Sequence, residues 1–300
     1  LARPILVGRP SVVEARIQRF GLSIKAGVDF DLVNPEDDPR YRSYVQTYID
    51  VAGRRGVTPD AARTVVRTNA TVIAALAVIR GEADAMICGV EGRYMSHLRH
   101  VREIIGSMPD VTDFAALSLT ITSKGAYFIA DTQVRPNPTA EELAETASLA
   151  ANHVTRFNIK PKIAFVSHSD FGGYDTESSR KMRQATALLK QRRPDLEADG
   201  EMQGDTALSA TARRLVLPHS DLDGEANILI MPNLDAANVA YQMIKVLADA
   251  VPVGPILIGP ARPAHILTPS VTARGILNMT AVAAVEAQER AGRPQPTLFA

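Results

Sequence analysis

The sequence predicts an α/β fold made of two sub-domains. Short apolar runs that end at turn residues alternate with longer runs of helical spacing, which is the pattern of parallel βαβ units. The chain has 300 residues, a length that favours about two domains and allows a large core without disulfides or metals. Hydrophobic residues make up 46% of the chain and charged residues 22%, a composition typical of globular domains.

Five apolar runs bounded by turn formers are predicted to be strands: Ile5–Val7, Ala85–Cys88, Ile163–Val166, Asn227–Met231 and Pro255–Ile258. We expect the first of them to be a buried strand followed by a turn. Because the chain opens in such a strand without an initiator methionine, we expect it to be a fragment of a longer protein.

Two helices are predicted from their start signals. Thr58–Ile79 begins with an N-cap threonine and a proline at the first helical position, and it ends before Gly81. Thr139–His153 begins with Thr-Ala-Glu-Glu, which is a capping box. Each range is expected to be one helix between strands.

A β-hairpin is predicted in the middle of the chain. Ala115–Thr122 and Tyr127–Asp131 are strand-like runs, and residues 123–126 between them are rich in turn formers. Residues 133–138 contain two prolines, so we expect a connection between elements there. Residues 292–297 also contain two prolines and are expected to form a loose tail.

The charge balance argues against several classes of partner. Lysine plus arginine equals aspartate plus glutamate at 33 each, so no global field favours nucleic acid or an anionic membrane. The longest apolar runs, such as Ile228–Met231, are far shorter than the roughly 20 residues of a membrane span. The single cysteine, Cys88, cannot form an internal disulfide, and no leader opens the chain. We therefore expect a cytoplasmic protein that binds neither nucleic acid nor membrane.

Eight segments, in a fixed order along nearly the whole chain, resemble phosphotransacetylase, the enzyme that moves an acetyl group between acetyl phosphate and coenzyme A. They are RPILVG (3–8), GEADAMICG (81–89), LR (98–99), DTQVRPNPTAEELAETA (131–147), KIAFVSHSDFGG (162–173), GEMQGDTAL (200–208), GEANILIMPNLDAANVAYQMIK (224–245) and GPILIGPARP (254–263).

The resemblance implies two α/β sub-domains of the phosphotransacetylase/isocitrate dehydrogenase-like type with an interdomain cleft. Residues 1–106 and 260–300 would form sub-domain one, and residues 107–259 would be inserted as sub-domain two. It also implies a homo-oligomer, dimeric or higher, with coenzyme A or acetyl-CoA in the cleft. A crevice at the carboxyl ends of parallel strands is also where this class of fold generally binds ligands.

The segment after the GPIL strand departs from the family. Active phosphotransacetylases read close to N-D-L-S-R-G there, with an acidic residue further along, whereas this chain has residues 265–270, His-Ile-Leu-Thr-Pro-Ser. The serine aligns with Thr268, the arginine with Pro269, the aspartate with Ile266 and the later carboxylate with Gly275. The base and the guanidinium that acyl transfer requires are therefore missing, and we assign no catalytic residues.

Six residues are candidates for binding acetyl-CoA, and the resemblance is the main reason for naming them: Arg99, Thr268, Asn278, Ser167, Ser169 and His265. Arg99 matches the family arginine in the LR segment, and His97, His100, Arg93 and Arg102 lie near it in sequence. The alternative is a solvated helix face on which Arg99 and Arg102 pair with Glu103. Ser167 and Ser169 belong to a Ser-His-Ser-Asp loop, which could equally be a plain strand-to-helix turn. Asn278 is expected to begin the last helix, whose small residues suit either a ligand or tight helix packing.

A disabled relative of this kind resembles the carboxyl-terminal region of large bacterial NADP-dependent malic enzymes, which oxidatively decarboxylate malate to pyruvate. That likeness implies a regulatory and assembly domain with acetyl-CoA as effector. NADP and a divalent metal would belong only to an N-terminal malic enzyme domain. In the present chain, Asp131, Glu201, Asp205 and Asp235 lack a metal-binding spacing, so no cofactor or metal is expected here.

Two alternatives remain open. The chain could be an active phosphate acetyltransferase that uses His265 as base and Arg274 or Arg262 as the cation. It could also be a dimerisation module that has lost its ligand.

Overall fold

The computed structural model of the chain describes residues 1–292 and divides them into two compact units. Unit 1 consists of Leu1–Met108 and the residues from Pro260 onward, and unit 2 of Pro109–Gly259. Both units are mixed α/β and contain parallel strands, so the predicted fold class is confirmed. The expected tail from residue 292 to 297 lies outside the described residues, apart from Gly292.

Unit 1 begins with two short parallel strands and several helices. In chain order its elements are β1 (Ile5–Val7), α1 (Pro10–Arg19), β2 (Asp31–Val33), α2 (Tyr41–Ala52), a 3-10 helix (Gly53–Arg55), α3 (Pro59–Thr68), α4 (Ala70–Ile79), β3 (Met86–Cys88) and α5 (Tyr94–Ile104).

Unit 2 is built around one six-stranded sheet. Its elements are β4 (Ala115–Thr122), β5 (Gly125–Ala130), α6 (Ala140–Thr155), β6 (Lys162–Val166), α7 (Glu177–Arg192), β7 (Glu197–Met202), α8 (Gly204–Leu208), α9 (Ala210–Val216), β8 (Ile228–Ile230), α10 (Leu234–Leu247) and β9 (Val251–Ile258). The chain then returns to unit 1 with β10 (Ala264–Ile266) and α11 (Ala273–Ala291).

The strands of unit 1 pair in parallel, β1 with β2 and β3 with β10. The strand predicted at Ile5–Val7 is present, but its predicted burial is wrong, because Ile5 and Leu6 are each 40% exposed. Apolar character alone forecast burial, whereas the packing of β1 against β2 and α4 leaves these side chains partly exposed.

The prediction of a single helix over Thr58–Ile79 is also wrong. The helix ends at Thr68, and Asn69 adopts an extended backbone before α4 begins. The Asn69 carboxamide oxygen accepts hydrogen bonds from the backbone N–H groups of Thr71 and Val72, so asparagine acts as an N-cap inside an apolar run. No single helix of the described residues is long and apolar enough to span a membrane; α3 and α4 meet that criterion only as a pair, which is bent by 102°.

The sheet of unit 2 has the strand order β7-β6-β8-β5-β4-β9. Strands β5, β8, β6 and β7 are parallel, and β4 is antiparallel to both β5 and β9. The predicted β4–β5 hairpin is confirmed, but its turn is shorter than expected because Gly125 and Ala126 pair with Thr122 and Ile121. The largest buried side chains of the sheet include Phe128 and Phe165.

The capping box predicted for α6 is confirmed. Thr139 Oγ1 accepts a hydrogen bond of 3.2 Å from the Glu142 backbone N–H, and the Glu142 carboxylate accepts one of 2.7 Å from the Thr139 backbone N–H. Two otherwise unpaired donors at the start of this 16-residue helix are thereby satisfied.

Arg135, in the connection between β5 and α6, fixes this part of unit 2. Its side chain is 5% exposed and donates to the backbone carbonyls of Asp113, Phe114 and Glu142. It also forms a 2.8 Å ion pair with the carboxylate of Glu145. The guanidinium therefore joins the segment before β4 to α6 through bonds that water cannot readily replace.

Replacing Arg135 by alanine is expected to lower the free energy of unfolding by about 3–5 kcal/mol, because it removes the cation paired with the Glu145 carboxylate and the donor to three carbonyls. Chemical denaturation monitored by circular dichroism measures this loss. Arg180→Ala is the matched control, since Arg180 pairs with Asp175 on the surface of the same unit and should cost about 1 kcal/mol or less. Equal losses in the two variants would contradict the role assigned to Arg135.

Candidate functional site

The candidate site of unit 1 lies where β3 and β10 end. Cys88 is opposite Ile266 in the parallel pair, and the Leu267 backbone N–H donates a 2.7 Å hydrogen bond to the Cys88 carbonyl. Two loops, residues 89–93 and 267–272, therefore leave the same edge and lead into α5 and α11. Carboxyl ends of adjacent parallel strands are the usual place for a ligand site in α/β folds.

Gly89 is required by the close approach of the two loops. A Cβ atom at this position would lie 2.5 Å from the Leu267 carbonyl oxygen, and the residue has a φ of +99°. Both the contact and the backbone conformation exclude larger residues. The first loop can therefore reach the second only through glycine.

His97 holds the first loop in place. Its Nε2 lies 2.7 Å from the Glu91 carbonyl oxygen, to which it donates, and its Nδ1 lies 2.8 Å from the hydroxyl of Thr71. A Cβ atom on Gly92 would lie 3.0 Å from the same Nε2. The imidazole thus ties the first loop to α4 through both of its ring nitrogens.

The second loop is a tight turn. The Val271 backbone N–H donates to the Thr268 carbonyl at 3.0 Å, with Pro269 at the second position, where proline favours such turns. The hydroxyls of Thr268 and Ser270 are hydrogen-bonded at 3.1 Å, and Thr268 is half-buried. Thr272 then caps α11. The turn presents two hydroxyls at the beginning of a 19-residue helix.

Gly275, aligned with the family's later carboxylate, is closely packed. A Cβ atom there would lie 2.8 Å from Cγ2 of Val271 and 3.5 Å from the Thr272 hydroxyl. Because a valine methyl is held close to its backbone, a side chain at position 275 would displace the turn. The packing around Gly275 therefore leaves no room for a larger side chain without a shift of the turn.

Three exposed arginines lie in the first loop or in the helices that follow the two loops. Arg93 is the N-cap residue of α5, Arg99 lies within that helix, and Arg274 is the second residue of α11. Within residues 1–292, none of the three forms an ion pair or side-chain hydrogen bond. The predicted alternative for Arg99, pairing with Glu103, is not observed, since the Glu103 carboxylate accepts from Tyr48 at 2.8 Å. Positive charge that is not neutralised internally remains available to an anion.

Asn278 is half-buried in the second turn of α11 and has no side-chain hydrogen bond among the described residues. The prediction that this residue begins the helix is wrong. The Thr272 hydroxyl accepts from the Gly275 backbone N–H at 3.1 Å, so the helix begins at Ala273, five residues before Asn278. As a ligand-binding residue, Asn278 stays a prediction.

His265 lies in strand β10 and not in the loop, which corrects the expectation for this residue. Its side chain is fully buried, and its Nε2 is 3.5 Å from the Glu286 carboxylate. A three-residue strand that pairs with a distant part of the chain leaves no recognisable local pattern in the sequence. In this position His265 links β10 to α11 inside unit 1.

Two further side chains, Cys88 at the end of β3 and His100 in α5, are half-buried and buried respectively. Burial raises the pKa of the Cys88 thiol to about 12, so almost no thiolate forms near neutral pH. Burial, together with the charge of Arg99, lowers the pKa of His100. His100 Nε2 lies 3.0 Å from the Asn69 carboxamide nitrogen. Neither Cys88 nor His100 therefore offers the site a readily available nucleophile or base.

Ser167 and Ser169 belong to unit 2, in the loop between β6 and α7. Ser169 is 2% exposed; its hydroxyl donates to Glu201 at 3.1 Å and accepts from the Tyr174 backbone N–H at 2.9 Å. Ser167 Oγ accepts from the Ser169 backbone N–H at 3.4 Å. These contacts stabilise the loop itself, and ligand binding by either serine stays a prediction.

No group of three or more potential metal ligands occurs among residues 1–292. Asp131 and Glu201, two of the carboxylates considered from the sequence, have structural partners. Asp131 accepts from the backbone N–H groups of Ala116, Gln133, Val134 and Arg135.

The first loop, residues 89–93, was not predicted from the sequence to be part of the site. Its signal is present in the sequence as two glycines three residues apart, directly after a predicted strand. A strand, a glycine-rich loop and a helix in succession is a pattern that commonly holds phosphate groups.

Comparisons with known proteins agree on the family. The family model for phosphate acetyl/butaryl transferase matches residues 1–284. An NAD-dependent malic enzyme of Rhizobium meliloti is 58% identical over 95% of this chain, and an NADP-dependent malic enzyme of Escherichia coli is 50% identical over 96%. The chain spans only 37% and 38% of the length of these two relatives. A phosphate acetyltransferase of Corynebacterium glutamicum is 31% identical over 95% of this chain and 85% of its own.

Solved structures give the same result. A phosphotransacetylase from Streptococcus pyogenes matches with a TM-score of 0.87 and 28% identity, covering 96% of this chain and 86% of its own. A phosphotransacetylase from Staphylococcus aureus matches with a TM-score of 0.84 and 26% identity, covering 95% and 86%. The chain therefore belongs to the phosphate acetyl/butaryl transferase family, as its sequence segments predict.

Proposed function

We propose that this chain is a catalytically impaired, phosphotransacetylase-like domain that binds acetyl-CoA and regulates a malic enzyme in the same polypeptide. The observation that carries the proposal is the turn Thr268–Val271. Proline occupies the position that resemblance assigns to a catalytic arginine, and it supplies neither charge nor a backbone donor. Loss of a single preorganised donor commonly costs about two to three orders of magnitude in rate.

Binding can persist where catalysis is lost. The phosphates of acetyl-CoA require cations and hydrogen-bond donors, and Arg93, Arg99 and Arg274 remain exposed around the two loops. Thr268 supplies a hydroxyl, and Asn278 supplies an unused carboxamide on α11. The beginnings of α5 and α11 add the positive ends of two helix dipoles.

The malic enzyme part of the proposal rests on the relatives. The two malic enzymes are more similar in sequence to this chain than the phosphate acetyltransferase is, and both are much longer. NADP and a divalent metal would be bound by the catalytic domain outside this chain, although the relative at 58% identity is named for NAD. Because acetyl-CoA lies downstream of pyruvate, its binding would lower malic enzyme activity. That response requires two states of the oligomer with different affinities for acetyl-CoA.

An active phosphate acetyltransferase is the second candidate, since the family is catalytic and Arg274 is an exposed cation in the altered segment. The burial of His265 argues against it, because a base must reach the thiol of coenzyme A. A ligand-free assembly module is the third candidate, and it would associate without any response to acetyl-CoA.

Replacing Arg99 by alanine is expected to weaken acetyl-CoA binding about 10-fold or more, since a hydrogen bond to a charged group is worth about 1.5–3 kcal/mol. Calorimetric titration of the purified protein gives the dissociation constants. The control is Arg63→Ala, which removes one equally exposed arginine that pairs with Asp60 in α3 of the same unit. Unchanged affinity in Arg99→Ala would remove this residue from the site.

The protein is expected to form no thioester from acetyl phosphate and coenzyme A beyond the enzyme-free rate. Absorbance of the thioester at high protein concentration measures this directly. Arg274→Ala is the informative variant, because Arg274 is exposed and its loss should leave the fold intact. Turnover that disappears in Arg274→Ala would establish the rearranged active site and refute the proposed impairment.

A further inference from the structure

No residue among the first 29 is buried, although this stretch is rich in apolar side chains, and Phe30 is the first buried residue. Eight large apolar side chains here are 40–81% exposed, and we call them the N-terminal apolar surface: Leu1, Ile5, Leu6, Val12, Phe20, Leu22, Ile24 and Val28. The described residues have 22 exposed large apolar side chains in all, and these 8 of them fall within less than a tenth of the described length. Concentrations of this kind mark interaction surfaces.

The secondary structure beneath this surface is only partly covered, since α4 contacts β1. Strands β1 and β2 form a two-stranded parallel sheet, whereas parallel sheets are normally covered on both faces. Helix α1 has no buried residue. It makes no extensive contact with any other helix or strand among the described residues. Short sheets of two strands depend on such packing for their stability.

Basic side chains are interspersed with the apolar ones. Arg9, Arg16, Arg19 and Lys25 are all exposed, and the carboxylate of Asp29 is already used by the Lys25 backbone N–H at 2.8 Å. The Arg3 guanidinium is paired with Asp31. A segment that covers this surface would therefore carry carboxylates beside its apolar residues.

We propose that the N-terminal apolar surface is the docking site for a part of the same polypeptide that lies outside these 300 residues. The inference rests on the proposed function, in which a malic enzyme domain shares the chain. The relatives at 58% and 50% identity are long enough to contain such a domain, since this chain spans only 37% and 38% of their lengths. A covalently attached segment binds at high effective concentration, so a surface of this size suffices.

The occupant is identified by photocrosslinking in the full-length protein, with Phe20→p-benzoylphenylalanine as the probe and Leu215→p-benzoylphenylalanine as an exposed probe in unit 2. We expect the position-20 probe to crosslink within one chain to a peptide outside residues 1–300, and the position-215 probe to give no such product. A crosslink from position 20 to residues 1–300 of a second copy would overturn the proposal in favour of self-association.

Hydrogen exchange of the full-length protein, followed by mass spectrometry, tests the burial itself. Residues 1–29 should be protected in the unmodified protein and exchange at least 10-fold faster in Phe20→Ser/Val28→Ser, while Leu215→Ser/Val216→Ser leaves their exchange unchanged. Unprotected residues 1–29 in the unmodified protein would overturn the proposal. Acetyl-CoA is absent from both experiments, so failure of the proposed acetyl-CoA site cannot be mistaken for failure of the docking site.

Discussion

The candidate site depends on the parallel pairing of β3 with β10, two three-residue strands separated in the sequence by the whole of unit 2. This pairing brings residues 89–93 and 267–272 to one edge and sets the starting points of α5 and α11. It tolerates only glycine at position 89, where the Leu267 carbonyl would contact any side chain. Without this pairing, neither loop would have a partner at this edge.

If the chain is catalytically impaired, as proposed, the same frame explains how the family fold can persist without the chemistry. Pro269 replaces a charged residue at an exposed turn, where it costs no core packing and favours the observed backbone. Gly275 and Val271 are packed so closely that a restored carboxylate would disturb the turn. The ligand-facing changes are thus confined to one loop, while the capped helices and the buried His265 beneath it keep their structural roles.

Local signals in the sequence predicted local structure well. The capping box at Thr139 and the β4–β5 hairpin were predictable because the interacting residues are close in sequence. Asn69 was missed because the apolar spacing continues through it, and only the tertiary structure decides that it caps a new helix. His265 was misplaced because its strand exists only through pairing with β3. The exposure of Ile5 could not be read from apolar composition, which says nothing about what covers a side chain.

In this account an inherited acetyl-CoA site has become a sensor: it retains cations and hydroxyls around two loops and has lost the groups for transfer. The most direct test is the rate of malate decarboxylation by the full-length protein as acetyl-CoA is raised, at fixed malate, metal and coenzyme. The account predicts a saturable fall in rate, which Arg99→Ala shifts to higher acetyl-CoA concentrations. A rate that is independent of acetyl-CoA, in a protein active toward malate, would contradict it.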